Sequence, residues 1–445
     1  MATVDLFQIG ASGTRAYQAA MGAIADNIAN ANTVGYSRRN VELVESSASA
    51  TSSIFEKGGT AFAGVDVGRV FRAADAYLDL AARRTTNALG SADQRARWMT
   101  DIQSGLNDGP LGVGQRMGGM FAAIEQLAAN PTDRTRRTDV LFTLEQVNTA
   151  FGLAHGDLSA VMEGIAASAG TDVAALNDAA RTLASANEGL RRAVADSPAQ
   201  IQLMDQRDQA LMEIAKRLDV TVSIDGKGIA TVDYQGLPLV NNITAFDVAV
   251  TTAPDGTLDF TLDGAAMATP VGGTLGGLAQ SGLVARDRID DLNALAERYV
   301  TEMNQWHTAG FTANGDPGEP LLAFGGDAAS LSVLITDPAK IAGASADGAM
   351  NGNLVAAGAI RGPGSMEDAW TQIISDQGNI TSAAVAEQKA ASNRDTLAQQ
   401  ARADVSGVNL DREAADLLRL QQAYQASARI IQVAREITES IFAIL

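Results

Sequence analysis

The apolar positions fall into helical spacing at both ends of the chain. Tyr17, Met21, Ile24 and Ile28 recur at intervals of four, three and four, so the pattern predicts a helix over 5–31 with one apolar face. Gly10, Gly13 and Gly22 each weaken such a helix by about 1 kcal/mol relative to Ala, yet they let a second backbone come close. The run Asn30-Ala31-Asn32-Thr33-Val34-Gly35-Tyr36 ends it, because Asn and Gly accept the positive φ of a helix stop. At the other end, Leu410, Leu417, Tyr424, Ile431, Thr438 and Leu445 lie seven apart. Ala414, Ala428 and Phe442 follow four residues on, and Leu420, Ala434 and Ile441 widen the stripe. Periodicity alone leaves two readings of these helices: closure of one bundle within the molecule, or packing against other molecules.

Between the ends, helical pattern covers 73–106, 114–129, 133–165, 171–195 and 199–219, with breaks at Asn130-Pro131 and Ser197-Pro198. From Val220 the period becomes two. Val220, Val222 and Ile224 alternate with Thr221 and Ser223, and Asp225-Gly226 supplies a turn. Further strands are predicted near 229–235, 237–240, 244–252 and 257–263. Helix resumes near 279–309, a Gly- and Pro-containing stretch fills 310–365, and helix runs from about 366 to the end. Residues 46–60, rich in Ser, Thr and Gly, read as a long loop.

Composition narrows the function classes. The 445 residues exceed one ordinary core, so two to four domains are expected. The net charge of −19 repels nucleic acid and anionic lipid. That charge is concentrated centrally: residues 1–45 and 390–445 are each near −1. Near-neutral ends suit packing against other chains, and an acidic middle suits a solvated exterior. There is no Cys, hence no thiolate chemistry, and no apolar run approaches a membrane span. With no signal-peptide pattern at the start, these features alone read as a cytoplasmic protein.

Candidate catalytic chemistry is thin. His155 and His307 have no partners at metal-ligand or acid–base spacing, so both are expected to be structural. Gly112 to Gly118 departs from a dinucleotide loop at Met117, and Gly272 to Gly277 lacks the Lys of a phosphate loop and reads as a hinge. Around Asp316 the alternating acids of a Ca²⁺ loop are missing. Arg38-Arg39 and Arg136-Arg137 are expected to cap helices or pair with nearby acids. No cofactor, metal or catalytic residue is expected.

The segment Asp26-Asn27-Ile28-Ala29-Asn30-Ala31-Asn32-Thr33-Val34-Gly35-Tyr36-Ser37-Arg38 resembles the N-terminal signature of bacterial flagellar rod, hook and hook-associated proteins. Val408-Asn409-Leu410-Asp411-Arg412-Glu413-Ala414-Ala415-Asp416-Leu417, followed by Gln421 to Arg429, resembles their C-terminal signature. Within the family, Leu203-Met204-Asp205-Gln206-Arg207-Asp208-Gln209-Ala210-Leu211 and Val300 to His307 are similar to segments of the hook-associated members that join hook to filament. Val34 stands where the family usually has Pro. The short stretch before Gly276 suggests that an outer domain of larger relatives is reduced.

The resemblance implies a fold that is mainly α with a small β insertion. Paired terminal helices would form a coiled-coil-like inner domain (1–60 and 390–445). A helical-bundle middle domain would occupy 61–219 and 276–389, and a β-rich outer module 220–275. It implies a structural subunit, exported unfolded by the flagellar type III system and located in the flagellum at the hook–filament junction. Its partners would be copies of itself in a ring, the hook protein, hook-associated protein 3, and a cytoplasmic chaperone on the C-terminal region. Tyr17, Met21, Ile24, Asn27, Ile28, Asn30, Leu410, Leu417, Leu420, Tyr424, Ile431, Ile441, Phe442 and Leu445 would meet at subunit contacts. A rod or hook subunit is the alternative within the family. A secreted enzyme is the alternative outside it, and residues 220–275 contain no His or Cys to serve one.

Overall fold

The structure is a computed structural model describing residues 2–47 and 62–444; Leu445 and most of the Ser/Thr/Gly-rich stretch lie outside the described residues. The chain opens with helix α1 (Ala2–Ala29) and closes with α9 (Leu410–Ile444). After α1 comes an antiparallel hairpin, β1 (Arg39–Ser47) with β2 (Phe62–Arg72). Four helices follow: α2 (Ala76–Gly105), α3 (Val113–Ala129), α4 (Arg134–Arg192) and α5 (Pro198–Arg217). The β segment is two small antiparallel sheets. One joins β3 (Thr221–Ile224), β4 (Ala230–Tyr234), β5 (Leu237–Asn241) and β6 (Thr244–Ala245). The other joins β7 (Val248–Thr252), β8 (Leu258–Leu262) and β9 (Ala265–Met267). Helix α6 (Gly273–Thr308) returns through the bundle. A loop region with the short pair β10 (Leu322–Ala323) and β11 (Ser332–Val333) and helix α7 (Gly352–Ala356) leads into α8 (Met366–Ser406). The mainly α architecture with a small β insertion is as the pattern predicts.

Capping explains the helix starts. Asp75 accepts from the amides of Tyr77 and Leu78 at 2.8 and 3.2 Å, and Asp133 accepts from Thr135 and Arg136 at 2.8 and 3.3 Å. Ser197 caps α5 with Pro198 in its first turn, so that predicted break holds. The predicted break between 165 and 171 does not, because α4 is one helix of 59 residues. Its buried line Ile165, Ala169, Val173, Leu176, Ala180 and Leu183 continues unbroken past Gly170, and that burial outweighs the glycine's cost. Conversely, the single helix expected after 366 is two, interrupted at Gly407-Val408-Asn409. The segment expected as one strand over 244–252 is divided between the two sheets.

Gly272 to Gly277 is not a hinge. Gly273 takes φ +68°, and a Cβ there would stand 2.4 Å from the backbone of Arg217. A Cβ on Gly277 would stand 2.4 Å from the carbonyl oxygen of Ser91. These glycines let α6 begin in direct contact with α5 and α2.

The main core lies among α2, α3, α4 and α6. Ile102, Met117, Met120, Phe121, Ile124, Leu144, Phe151, Leu158 and Tyr299 are almost wholly buried there, with Phe151 stacked on Tyr299. Two asparagines on α4 carry the β sheets. Asn187 donates to the carbonyls of Ala230 (2.7 Å) and Asn242 (2.6 Å) and accepts from the Ala230 amide (2.9 Å). Asn177 donates to the Val248 carbonyl (2.8 Å) and accepts from the Val248 amide (2.9 Å). Each sheet is thus keyed to the helix by one side chain. Replacing Asn187 by Ala strands buried backbone groups of the first sheet, and we expect a loss of about 2–4 kcal/mol. Hydrogen exchange should show lost protection in β4 and β5 before the α4 amides open; unchanged protection would refute the keying.

His307, expected to be structural, is fully buried. Its Nδ1 lies 2.5 Å from the Glu319 carbonyl oxygen, and its Nε2 accepts from the Ala342 amide at 2.9 Å. Only a neutral ring protonated on Nδ1 makes both bonds. Burial is the larger influence on this imidazole and lowers its pKa. The unfolded chain takes up a proton below about pH 6.5 while the native ring does not. Stability from this group is therefore full above that pH and falls at up to about 1.4 kcal/mol per pH unit below it, until the native ring itself titrates. In paired urea melts from pH 7 to pH 5, the wild type should lose more stability than His307→Gln. Parallel profiles would contradict this.

Candidate assembly interface

Helices α1 and α9 pack antiparallel along heptad-spaced lines. On α1 the line is Leu6, Gly10, Gly13, Tyr17, Ala20, Ile24 and Asn27. On α9 it is Glu413, Leu417, Leu420, Tyr424, Ser427, Ile431, Ala434 and Thr438. The glycines set the closeness. A Cβ on Gly10 would stand 2.6 Å from Cγ1 of Ile431, and one on Gly13 would stand 2.6 Å from the Ser427 hydroxyl oxygen. The other side of α1 meets β2, where Gly64 at φ +90° brings the strand onto Ser12, and the Val65 amide donates to its hydroxyl at 3.3 Å.

The C-terminal register keeps the predicted first line, Leu417, Tyr424, Ile431 and Thr438, and differs in the second. The second line lies three residues beyond the first, through Glu413, Leu420, Ser427 and Ala434, whereas Ala414 and Phe442 are exposed. A count of apolar residues finds Leu420 and Ala434 of this line and passes over Glu413 and Ser427.

Those polar residues form the link between the two signatures. Asn27 is completely buried and all four of its carboxamide bonds are made. Its Nδ2 donates to the Arg39 carbonyl and to Glu413, both at 2.9 Å. Its Oδ1 accepts from the Tyr36 hydroxyl at 2.9 Å and from the Arg39 amide at 2.8 Å. Glu413, also buried, accepts from Arg38 Nε at 2.6 Å. Arg39 reaches Asp26 at 3.2 Å, so this basic pair meets acids as expected. Burial pushes the Tyr36 phenol up to about 12, with Arg39 opposing and the nearby Asp26, Asp205 and Glu413 adding to the rise. Gly35 at φ +81° makes the turn between helix and latch.

A second polar cluster joins this unit to the helical bundle. Arg72, at the end of β2, reaches Asp205 on α5 at 3.2 Å and also pairs with Asp208. Gln209 packs on Gly35. Arg207 pairs with Asp208 at 2.7 Å and donates to the Gly228 carbonyl at 2.7 Å, in the turn before β4. Burial raises the Asp205 pKa against the pull of Arg72. The Asp205-Gln206-Arg207-Asp208 run is thus a hub contacting the hairpin, the N-terminal latch and the β module. Sequence alone did not indicate Arg72. Its only signal was its position just after an alternating Val65-Val67-Arg69 segment.

The residues expected at subunit contacts divide into two groups. Ile24 and Asn27 are buried within the chain, and Tyr17, Met21, Leu417, Leu420 and Ile431 are partly so. Ile28, Leu410, Tyr424, Ile441 and Phe442 remain exposed, Phe442 at 73%. Asn30 closes its own helix by donating to the Asp26 carbonyl at 2.9 Å. Leu445 lies outside the described residues. A second apolar stripe on α9 has no cover among the described residues: Ile430, Val433, Ile437 and Ile441 are 36% to 50% exposed at spacings of three, four and four.

Other candidate sites resolve into structure. Gly112 to Gly118 wraps the Asp108 carboxylate, which accepts from the Gly114 amide at 2.9 Å. Arg137 takes the capping alternative: it is buried and donates to the carbonyls of Pro131 at 2.9 Å and of Ile341, at the end of the turn Pro338–Lys340, at 2.8 Å. Among the described residues there is no cluster of His, Cys, Asp or Glu suited to a metal, and no helix is long and apolar enough to cross a membrane.

Comparison with known proteins agrees with the two-ended architecture. Residues 99–322 match the flagellar hook-associated protein FlgK helical domain. Residues 7–36 match the flagella basal body rod protein family, and 399–444 the flagellar basal body rod FlgEFG protein C-terminal family. The chain is 25% identical to flagellar hook-associated protein 1 of Escherichia coli K12, over 97% of this chain and 98% of that one. It is 24% identical to flagellar hook-associated protein 1 of Bacillus subtilis, over 96% and 95%. The solved flagellar hook junction protein FlgK from Burkholderia pseudomallei aligns with a TM-score of 0.48 at 22% identity, covering 55% of this chain and 46% of that one. With its middle and both ends matched in this way, the chain belongs to the flagellar hook-associated protein FlgK family, structural and non-enzymatic components of the bacterial flagellum.

Proposed function

We propose that this protein is the subunit that joins hook to filament, and that it assembles through α1 and α9. The observation that carries this reading is the double-faced α9. One heptad line is closed by α1 and locked by Asn27, Glu413 and Arg38, while a second line through Ile430, Val433, Ile437 and Ile441 is open. A helix that keeps such a stripe in water is marginal alone and gains by packing on a neighbour. Copies in a ring, the hook protein and hook-associated protein 3 are the partners this reading assigns. The exposed Ile28, Leu410, Tyr424, Ile441 and Phe442 would then contact neighbours, with Ile24, Asn27, Leu417 and Ile431 holding the pair in shape. The inner unit takes the terminal helices (1–60 and 390–445) and, through its pairing with β1, strand β2; the rest of 61–219 with 276–389 makes the middle, and 220–275 the outer module.

Export unfolded through the type III channel, with a chaperone covering the C-terminal stripe beforehand, fits the lack of Cys and the poor stability of unpaired α1 and α9. Immunogold labelling of sheared flagella tests the location. A band at the hook–filament boundary is expected, and label along the hook would favour a hook subunit instead.

A further inference from the structure

The groove between α2 and the first strand of the β module has the features of a docking site. One wall is Leu80, Arg83, Arg84 and Asn87 of α2; the other is Val220, Thr221 and Val222, with Leu218 and Asp219 beside them, enclosing about 360 Å³. The Asn87 side chain fixes the walls together by donating to the Ala215 carbonyl at 2.7 Å. Strand β3 pairs only with β4 among the described residues, so its outer backbone edge is open. Its sequence, Thr-Val-Ser-Ile, carries no Lys, Pro or bulge to blunt that edge, and Ile224 is exposed.

The charge in the groove is also in surplus among the described residues. Arg83 is partly buried and feels Asp208 and Asp79, but Asp208 is taken by Arg72 and Arg207, and Asp79 by Arg402 at 2.6 Å. Burial consequently holds the Arg83 guanidinium below its ordinary pKa. Arg84 is exposed next to it, and Asp219 is the one carboxylate lining the groove. A surplus cation beside an open strand edge fits an extended segment that brings a carboxylate.

We propose that this groove receives an extended acidic segment from a second copy of this chain, which adds to the edge of β3 and sets a carboxylate on Arg83 and Arg84. The occupant follows from charge. The chain carries −19, concentrated in its middle, so a neighbouring copy presents the complementary sign. The inference rests on the reading that copies stand side by side in the flagellum.

The test places photoreactive benzoylphenylalanine at position 80 of the full chain in flagellated cells. Irradiation should give a product of twice the chain mass containing this protein alone, and mass spectrometry should find an Asp- or Glu-bearing peptide at the link. Arg83→Glu with Arg84→Glu should cut the yield at least tenfold, Arg83→Lys should largely preserve it, and Ile224→Pro, whose amide faces the open edge, should lower it without moving the melting temperature. A product containing another chain, a yield indifferent to Arg83→Glu, or no product in flagella that still show the gold band at the junction would overturn the proposal. Gold label elsewhere would count against the junction reading, while the doubled product would still decide the groove.

Discussion

A chain lacking residues 410–445 is expected to fold through its middle and yet leave cells without filaments, with flagellin lost to the medium. Helix α9 packs on α1 and contributes nothing to the core of α2, α3, α4 and α6, whose buried side chains all lie before residue 391. Its removal should therefore shift the melting temperature of the bundle by under roughly 3 °C. The terminal unit, by contrast, loses everything. Asn27 loses the acceptor at Glu413, Arg38 loses its buried counterion, and Gly10 and Gly13 face water in a helix that glycine already weakens. If α1 and α9 make the subunit contacts, no junction remains to hold a filament. Calorimetry on the purified protein and electron microscopy of the complemented deletion strain measure the two halves of the expectation. Normal filaments on motile cells would sink it.

Ile431→Asp is expected to be the most damaging single change in α9. The Ile431 side chain occupies the space left by Gly10, so a carboxylate there would be pressed against the backbone of α1. The cost is several kcal/mol, enough to open the α1–α9 pair. Leu417→Asp, in the same line and partly buried, should act in the same direction. Arg419→Ala is the control. Arg419 is well exposed and pairs with Asp416 at 3.1 Å, a surface contact worth under about 1 kcal/mol. Circular dichroism of the purified variants and swimming-halo diameter in complemented strains should separate the two aspartate variants from the alanine one. Equal effects from all three would show that this line is not the contact.

Much of this organisation was legible in sequence because burial writes itself in periodicity. The helices of the bundle, the change of period at Val220 and the breaks at Pro131 and Pro198 all follow from local chemistry. The terminal signatures likewise pointed to residues that prove to touch, Asn27 and Glu413. What stayed hidden depended on contacts distant in sequence. The β1–β2 hairpin is steadied by α1 through Ser12 and Gly64, and nothing local marked Arg39–Ser47 as a strand. Gly272 to Gly277 read as a hinge because glycine signals freedom and close approach alike; only the backbone of Arg217 and Ser91 tells them apart. The second line of α9 was legible only in Leu420 and Ala434, because Glu413 and Ser427 are polar residues in a packed line.

The bond between Asn27 and Glu413 spans 386 positions of the chain. A ribosome adding about 5–20 residues per second puts roughly 20–80 s between the two ends of that bond. Throughout that interval α1 lacks the face that α9 supplies, and its glycines weaken it as a helix by itself. The terminal unit is therefore the last part of the molecule able to close, and it closes only on a chain delivered nearly whole. A copy broken off anywhere before Glu413 would lack the acceptor of that bond and leave the α9-facing side of α1 uncovered.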